Sequence, residues 1–284
     1  MTSNRLLVTG SQGRIGRALQ RAAAGTFEIV GTTSPGGPAA NLAFDVADSS
    51  ATMRVVAEIK PRVIVHLAAM IGGSCEADPQ AADRVNVGGT ANLAAAAIEH
   101  GVERIVFAST AGVYGDARRR PVAESDDTAP VGVYSKTKLL AERVLAKVSS
   151  GVHIDVLRIF NVYGDEMPDS LISRLHNATV DTPVRLTGLE EFVRDYVHVD
   201  DVAKAFVAAA DSAHTGFRVL NVGSGVPRSN GDLLKAIPVA DKAAIVLAPP
   251  VESYSCADVS TIRRELSWQP LEPWPPPRYP SLRS

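Results

Sequence analysis

From residue 5 to about residue 160, short apolar runs alternate with longer stretches of helical character. The runs have the length and composition of strands buried on both faces of a parallel sheet: Arg5–Thr9, Glu28–Thr32, Val63–Leu67, Arg104–Ser109 and Ile154–Phe160. The stretches between them predict helices: Arg14–Ala24, Ser50–Ile59, Pro79–His100 and Tyr134–Val148. Because strand–helix–strand units connect with a right-handed crossover, this order predicts an α/β fold with a doubly wound parallel sheet.

A glycine-rich loop joins the first predicted strand to the first helix. Glycines here permit a tight turn, close approach of the backbone to a pyrophosphate and close packing of helix on strand. The helix N-terminus then offers free N–H groups to the phosphates. The spacing, Gly-x-x-Gly-x-x-Gly, is one residue longer than the Gly-x-Gly-x-x-Gly fingerprint. We expect NAD(P) to bind this loop at Gly10, Gln12, Gly13, Arg14, Ile15 and Gly16.

The end of the second strand bears on the choice between NAD and NADP. NAD-binding proteins usually place Asp or Glu there, where it bonds the 2′-hydroxyl of the ribose. This chain has Thr32, Thr33 and Ser34 instead. Together with Arg14, a small hydroxyl position accepts a 2′-phosphate without like-charge repulsion, which favours NADP(H) over NAD(H). The alternative is that the two threonines only end the strand and that Arg14 faces water.

Four residues have the types and positions that acid/base chemistry needs. Tyr134 and Lys138 are spaced by four on a predicted helix, so they share one face. A free tyrosine has a pKa of about 10, and a nearby ammonium with a cationic nicotinamide ring is expected to lower it. Ser109 and Thr110 follow a buried strand, and ligands of doubly wound sheets sit beyond such strand ends. Their alternative role is to cap the strand exit.

These segments together resemble the extended short-chain dehydrogenase/reductase family of the NAD-dependent epimerase/dehydratase type. Its members include sugar-nucleotide 4-epimerases, dehydratases and 4-ketoreductases. The resemblance runs in the family's order from about residue 5 to 270. It rests on the segments Thr9–Gly16, Asp45–Val46, His66–Ala69, Asn86–Thr90, Ser109–Gly115, Tyr134–Lys138, Arg158–Gly164, Arg194–Ala203 and Asn221–Gly225.

The resemblance implies roles for individual residues. Thr110 is expected to be the catalytic hydroxyl, Tyr134 the acid/base and Lys138 the lysine that bonds the nicotinamide ribose. Asn161 is expected to touch the substrate, and Arg194 to pair with the phosphates of a sugar nucleotide; the alternative for Arg194 is an ion pair with Asp195 or Asp200. Further cofactor contacts are expected at Thr32, Asp45, Val46, Leu67, Ala68, Ala69, Asn86 and Ser109.

The chain departs from the family pattern at two places. Dehydratases of the family carry an Asp-Glu pair directly after the catalytic threonine, and Ala111 and Gly112 stand there, which argues against dehydration. Many members carry a second phosphate-binding arginine in a segment that corresponds to Leu247–Glu252, which has none. We expect Arg185 or Arg228 to replace it, or the substrate to lack a nucleotide.

Two enzyme functions fit these residues. A 4-ketoreductase, which reduces a keto sugar with fresh NAD(P)H, is preferred because the second strand lacks an acid. The alternative is a nucleoside-diphosphate-sugar 4-epimerase that holds NAD tightly. A second alternative, a non-catalytic NAD(P)-binding regulator, is disfavoured because Thr110, Tyr134 and Lys138 are all present. A homodimer is expected through Pro79–His100 and Tyr134–Val148, as is common in the family.

Composition and length set the remaining expectations. The net charge of −2 over 284 residues argues against nucleic-acid binding, and the N-terminus has no long apolar segment, so we expect a cytoplasmic protein without membrane contact. Cys75 and Cys256 match no zinc or disulfide spacing, so no metal is expected. The predicted organisation is an NAD(P)-binding Rossmann domain over 1–165 to which about 190–225 returns, a small mixed α/β substrate lobe over 166–270, and a proline-rich tail over 271–284.

Overall fold

The computed structural model describes residues 4–37, 42–116, 119–164, 166–239, 242–271 and Trp274. Its main element is a parallel sheet of seven strands in the order β3-β2-β1-β4-β5-β6-β10. The strands are β1 Arg5–Thr9, β2 Glu28–Thr33, β3 Leu42–Ala43, β4 Val63–His66, β5 Arg104–Thr110, β6 His153–Ile159 and β10 Phe217–Val222. The predicted doubly wound sheet is confirmed, and the five predicted strands agree with the observed ones to within one residue at each end.

Helices cover both faces of this sheet, and each face has its own apolar cluster. Along β1 the side chains alternate between the clusters, so that Leu6 and Val8 face one and Leu7 the other, all with no exposure. The larger helices are α1 Arg14–Ala23, α2 Ser49–Ile59, α5 Gly89–Glu99, α6 Val133–Val148 and α8 Val199–Ala210. Burial on both faces explains why the strands are continuously apolar in sequence.

The predicted helix Pro79–His100 is helical without a break from Pro79 to Glu99, but it is not a regular α-helix throughout. The segment contains α4 Pro79–Ala82, a π-helix Asp83–Gly88 and α5, and a short helix α3 Gly73–Ala77 precedes it. Asp78 ends α3 and caps α4, because its side chain accepts a hydrogen bond from the backbone N–H of Ala81. The wider π turn holds Asn86 in the interior with 1% exposure. A sequence pattern interpreted with the α-helical period of 3.6 residues does not reveal a π-helical turn within the helix.

A smaller set of strands and helices follows β6. β9 Phe192–His198 pairs with β7 Asn161–Tyr163, β11 Pro227–Ser229 and β13 Ser253–Ser255, while β8 Val184–Thr187 pairs with β12 Ile245–Ala248. The helices are α7 Leu171–His176, α9 Asn230–Ala236 and α10 Ser260–Leu266. Of the predicted proline-rich tail 271–284, all but Leu271 and Trp274 lies outside the described residues.

The long helices leave some apolar surface uncovered. Ile98 on α5 and Leu140 on α6 are exposed. The homodimer expected through this region stays a prediction. No helix within the described ranges is long and apolar enough to serve as a membrane span.

Candidate active site

A cleft of about 770 Å³ opens at the carboxyl ends of β1, β4 and β5. It lies where the strand order reverses, since β2 pairs with one side of β1 and β4 with the other. Its walls are the glycine loop, the end of β2, the segment after β4, the end of β5 and the start of α6. We call this space the cofactor cleft.

The glycine loop has the geometry of a phosphate cradle. Gly10 has φ +69°, and a Cβ atom there would lie 2.9 Å from the backbone nitrogen of Ala68. A Cβ atom on Gly16 would lie 2.5 Å from the carbonyl oxygen of Ser11, so α1 packs against the loop only without a side chain at this position. No acidic residue stands in the first turn of α1. The loop and helix end therefore fit a pyrophosphate.

Most of the residues predicted to contact the cofactor line the cleft. They are Gly10, Gly13, Arg14, Ile15, Gly16, Thr32, Asp45, Val46, Leu67, Ala68, Ala69, Ser109, Tyr134 and Lys138, with Thr110 beside them. Gln12 and Asn86 are not among the lining residues. Asn86 supports a lining residue from behind the cleft. Its side chain accepts a hydrogen bond from the N–H of Met70 and donates to the carbonyl of Met70 and to Thr137 Oγ1.

Sequence reasoning missed several lining residues that flank the motifs. They include Phe44, Met70, Ile71, Val85, Phe160, Met167 and Asp169. Most of them are apolar and would contact the flat faces of a dinucleotide rather than its polar groups. An apolar side chain follows no spacing rule that would mark it as part of a site. The available signal was that Phe44, Met70 and Phe160 directly adjoin Asp45, Ala69 and Asn161 in the sequence.

A buried hydrogen-bond chain fixes the wall between β1 and β4. Thr90 Oγ1 donates to the carbonyl of Asn86 at 2.6 Å and therefore accepts from His66 Nε2 at 3.2 Å. His66 Nδ1 then accepts from the Thr9 hydroxyl at 2.7 Å, and Thr9 Oγ1 accepts the backbone N–H of Ala68 at 3.2 Å. The network is satisfied only with a neutral imidazole, and it ties the cleft-lining segment after β4 to the first strand.

We expect this histidine to make the fold sensitive to acid. Complete burial, and secondarily the charge of Lys138, lower the pKa of His66 to about 3 from 6.5. Between these values the unfolded chain binds a proton that the folded chain does not. The contribution of His66 to the free energy of unfolding is therefore fully present above pH 6.5. It falls as the pH falls toward 3, by at most about 1.4 kcal/mol per pH unit.

Denaturant titrations at pH 7 and pH 5 measure this dependence. In His66→Gln the loss of unfolding free energy between the two pH values should be smaller than in the wild type by about 2 kcal/mol. The exposed His100 offers the matched control, since His100→Gln should retain the wild-type loss. An unchanged loss in His66→Gln would mean that His66 is not the acid-sensitive group.

The predicted acid/base pair lies at the start of α6. Tyr134 is partly exposed to the cleft, and Lys138 is buried with its Nζ 5.9 Å from the centre of the Tyr134 ring. Burial of the hydroxyl, with the negative charge of an ionised Cys75 as a smaller cause, raises the pKa of Tyr134 to about 12. The lower pKa expected from the ammonium and the cationic nicotinamide ring together stays a prediction. Desolvation of the phenolate therefore exceeds the effect of Lys138 alone.

A buried ion pair stands behind the two hydroxyls at the end of β5. Arg158 Nη2 lies 2.7 Å from Glu142 Oε2, and the same carboxylate accepts from the Ser109 hydroxyl. Both charged side chains are at most 7% exposed. Thr110 Oγ1 accepts the N–H of Gly112 at 3.1 Å, as in the capping role weighed for it, and still lines the cleft.

A second pocket of about 390 Å³ adjoins the cofactor cleft, and Val162 and Asp169 line both. We call it the arginine pocket, because Arg174, Arg185 and Arg194 line it. Its other lining residues are Asn161, Ser170, Leu171, Leu186, Thr187, Phe192, Tyr196 and Asn230. The sequence analysis placed Asn161 and Arg194 at the substrate, and the fold brings them together here.

The arginines of the pocket differ in their exposure and in the contacts that hold their side chains. Arg174 and Arg185 are exposed. Arg194 is held by a hydrogen bond of 2.7 Å to Ser253 Oγ and lies over the Phe192 ring, 3.8 Å from its centre. It contacts Asp116 at 3.3 Å rather than Asp195 or Asp200. Arg228, the other replacement weighed for the missing family arginine, lies over the ring of Trp274 and does not line the pocket.

The loop that follows β7 spans from the arginine pocket to the glycine loop. Asp169 pairs with Arg14, and Glu166 pairs with Arg17 on the next turn of α1. Glu166 has φ +61°, a conformation that a residue with a Cβ atom rarely adopts. Arg14 is thus paired across the rim of the cleft, while its side chain remains partly exposed to water.

Asp195 joins three segments behind the arginine pocket. Its carboxylate accepts hydrogen bonds from the N–H and hydroxyl of Ser224 at 2.7 and 2.5 Å, from the N–H of Gly225 at 2.9 Å and from the N–H of Ala257 at 3.1 Å. The Cys256 thiol donates a weaker one at 3.9 Å. It has no exposure. A Cβ atom on Gly223 would overlap Asp195 Oδ2, so the glycine there admits the carboxylate.

Comparison with known proteins gives a consistent picture. The sequence model of the NAD dependent epimerase/dehydratase family matches residues 6–223. UDP-glucose 4-epimerase of Rhizobium meliloti (strain 1021) is 33% identical to this chain over 269 aligned residues, which cover 84% of this chain and 82% of the relative.

Solved structures resemble the chain over almost its whole length. The Thermus thermophilus UDP-glucose 4-epimerase in complex with NAD has a TM-score of 0.81 at 28% identity, with 95% of both chains covered. MoeE5 in complex with UDP-glucose and NAD has a TM-score of 0.81 at 27% identity, with 95% of this chain and 94% of that chain covered.

Proposed function

The chain belongs to the NAD-dependent epimerase/dehydratase family, and we propose that it interconverts the C4 epimers of a UDP-sugar with NAD as its cofactor. One observation carries the proposal: a dinucleotide cleft that contains Tyr134 and Lys138 adjoins a pocket lined by three arginines. The shared wall at Val162 and Asp169 is where a sugar would lie. There its C4 would face the cofactor while its diphosphate faces the guanidinium groups.

The epimerase is now preferred to the 4-ketoreductase that the sequence analysis favoured. The relative from Rhizobium meliloti and the structural neighbour from Thermus thermophilus are both UDP-glucose 4-epimerases, and the Thermus thermophilus structure holds NAD. NADP was favoured partly because Arg14 could accept a 2′-phosphate, and the guanidinium of Arg14 is paired with Asp169. Thr32 is 1% exposed, which leaves little room for a 2′-phosphate at its hydroxyl. NAD is therefore the proposed cofactor.

Tyr134 would move the proton in this reaction. When bound, NAD supplies the acceptor and donor of the hydride at C4, so the sugar is oxidised and then reduced on its other face. Tyr134 Oη would take the proton of the C4 hydroxyl during oxidation and return it to the C4 oxygen during reduction. The cationic nicotinamide ring and Lys138 together would oppose the desolvation that otherwise raises the pKa of Tyr134.

Two hydroxyls and the apolar walls complete the site. Thr110 Oγ1 would hydrogen-bond the C4 oxygen and hold it near Tyr134, while the Glu142–Arg158 pair fixes Ser109 behind it. Ile159, Phe160 and Met167 would exclude water from the reacting carbon. Ala111 and Gly112 offer no carboxylate, so elimination of water has no acid or base there.

The diphosphate would bind the arginine pocket. Guanidinium groups bind phosphate through paired N–H donors, and Arg194 presents a side chain that Ser253 and Phe192 hold in place. Arg174 and Arg185 are exposed and can move toward the ligand. Arg185 would supply the cation that Leu247–Glu252 lacks. Phe192 and Tyr196 provide aromatic surface for a uracil ring.

Two measurements on the purified protein test the function. First, the nucleotide released on denaturation should be NAD at close to one equivalent per chain, as identified by its mass spectrum. Second, UDP-galactose should be converted to UDP-glucose without added NADH or NADPH, as followed by proton NMR. An empty protein that consumes NADPH with a UDP-4-keto sugar would instead assign the ketoreductase, and a protein inactive in both assays would support a non-catalytic role.

A further inference from the structure

Lys138 is an ammonium in a fully buried place. Its side chain is 2% exposed, and its Nζ lies 4.6 Å from the centre of the Phe107 ring. Over the ranges that the structure describes, no carboxylate lies within ion-pair distance of this nitrogen. Burial without a bonded counter-charge favours the neutral amine, so some other group must oppose the loss of the proton.

The titratable and charged groups around Lys138 are Tyr134 and Glu142 on α6, Cys75 on α3, His66 on β4 and Arg158 on β6. The charge of Glu142 raises the pKa of Lys138, but burial lowers it by more. The Glu142 carboxylate is also bound by Arg158 and Ser109 and makes no ion pair with Lys138. His66 is neutral in its hydrogen-bond chain, and burial raises the pKa of the Cys75 thiol, which is therefore also neutral.

Phe107 is held so that its ring stays beside the ammonium. The side chain has no exposure and belongs to the apolar cluster on one face of the sheet. In the register of β5 and β4 it lies opposite His66, whose ring centre is 5.7 Å away. His66 is in turn fixed by Thr9 and Thr90. The ring therefore cannot turn away from Lys138 without breaking this packing.

We propose that Phe107 is a positioning residue for Lys138, and that its ring keeps the lysine charged beside Tyr134 through a buried cation–π contact. The face of an aromatic ring carries negative potential, and the attraction to an ammonium is strongest where both are desolvated. The contact also holds Nζ of Lys138 at the position where it could interact with both Tyr134 and the ribose of a bound cofactor. The value of this charge to catalysis rests on the proposed function, but the contact itself does not.

The contact predicts a specific titration. Burial lowers the pKa of Lys138 to about 8 from 10.5. If the ring supports the charged form, a weaker ring must lower this pKa further. Fluorine withdraws electrons from the ring face and weakens the contact in steps while it keeps the shape of the side chain. We therefore expect the pKa of Lys138 to fall in the order of fluorine number.

The experiment replaces Phe107, by suppression of a stop codon, with 4-fluoro-, 3,5-difluoro- and 3,4,5-trifluorophenylalanine in the full chain. The ¹⁹F resonance of each ring is followed against pH, and its midpoint reports the titration of Lys138 next to it. The midpoint should fall at each step, by about one pH unit over the series. Lys138→Met in the 4-fluoro protein should remove the titration step.

A matched series at Phe206 controls for the effect of fluorine on folding. Phe206 is also fully buried, but it belongs to the apolar cluster on the other face of the sheet. Its fluorinated forms should leave the alkaline limb of the pH profile of the reaction rate unchanged, whereas the Phe107 series should move that limb to lower pH. If the trifluoro protein does not fold, the mono- and difluoro steps still determine the trend.

The outcomes separate this proposal from the proposed function. Midpoints that agree within about 0.2 pH unit across the Phe107 series, or a titration that survives Lys138→Met, would overturn the cation–π assignment even in an active epimerase. Midpoints that fall in an enzyme without epimerase activity would support the contact and refute the function. The titration needs neither substrate nor turnover, because the ring reports the lysine directly.

Discussion

Replacing Tyr134 by phenylalanine should reduce the rate of UDP-sugar epimerisation by about 10³-fold, because a positioned acid/base contributes about 10²- to 10⁴-fold. The change removes only the hydroxyl that we propose takes and returns the proton. The ring that packs 5.9 Å from the Lys138 Nζ remains. NAD content and thermal unfolding should therefore stay close to those of the wild type, which separates a chemical defect from a structural one.

The same chemical change elsewhere provides the control. Tyr254 on β13 lines neither the cofactor cleft nor the arginine pocket, so Tyr254→Phe should alter the rate less than twofold. NMR of UDP-galactose conversion measures both variants. If Tyr134→Phe kept more than a tenth of the activity, the proton would have to pass through another group, and Thr110 would be the next residue to replace.

Replacing Asp195 by alanine should cost about 3–5 kcal/mol of unfolding free energy, because several buried donors lose one shared acceptor at once. The variant leaves three backbone N–H groups and a hydroxyl, on Ser224, Gly225 and Ala257, without their acceptor in the interior. Each unsatisfied buried donor costs about 1–3 kcal/mol before relaxation or water entry. Denaturant titration measures the loss directly.

The replacement of Asp195 should also weaken the binding of the substrate. Asp195 connects β9, which carries Arg194, to the segments after β10 and β13, so its removal should loosen the arginine pocket and raise KM for the UDP-sugar. Asp211 serves as the control, because it is exposed and its nearest cation, on Arg62, is 3.6 Å away. Asp211→Ala should change the unfolding free energy by less than about 0.5 kcal/mol. A loss below about 1 kcal/mol in Asp195→Ala would mean that water replaces the carboxylate.

The sequence determined the sheet and the groups at its edge. Continuous apolar runs and the glycine spacing at Gly10, Gly13 and Gly16 are local properties, because they follow from strand burial and from the space beside a phosphate. The spacing of Tyr134 and Lys138 is equally local, since four residues span one helical turn. These signals were sufficient for the fold and for the residues that meet at one cleft, the glycine loop with Tyr134 and Lys138.

Tertiary structure decided what depends on contacts between distant segments. Only the packed fold brings Arg174, Arg185 and Arg194 into one pocket and engages Arg14 with Asp169, which removed part of the argument for NADP. The π turn that buries Asn86 was likewise hidden in a regular helical pattern. Burial raises the pKa of Tyr134 for the same physical reason: desolvation is set by everything that surrounds a group, and the sequence shows only its neighbours along the chain.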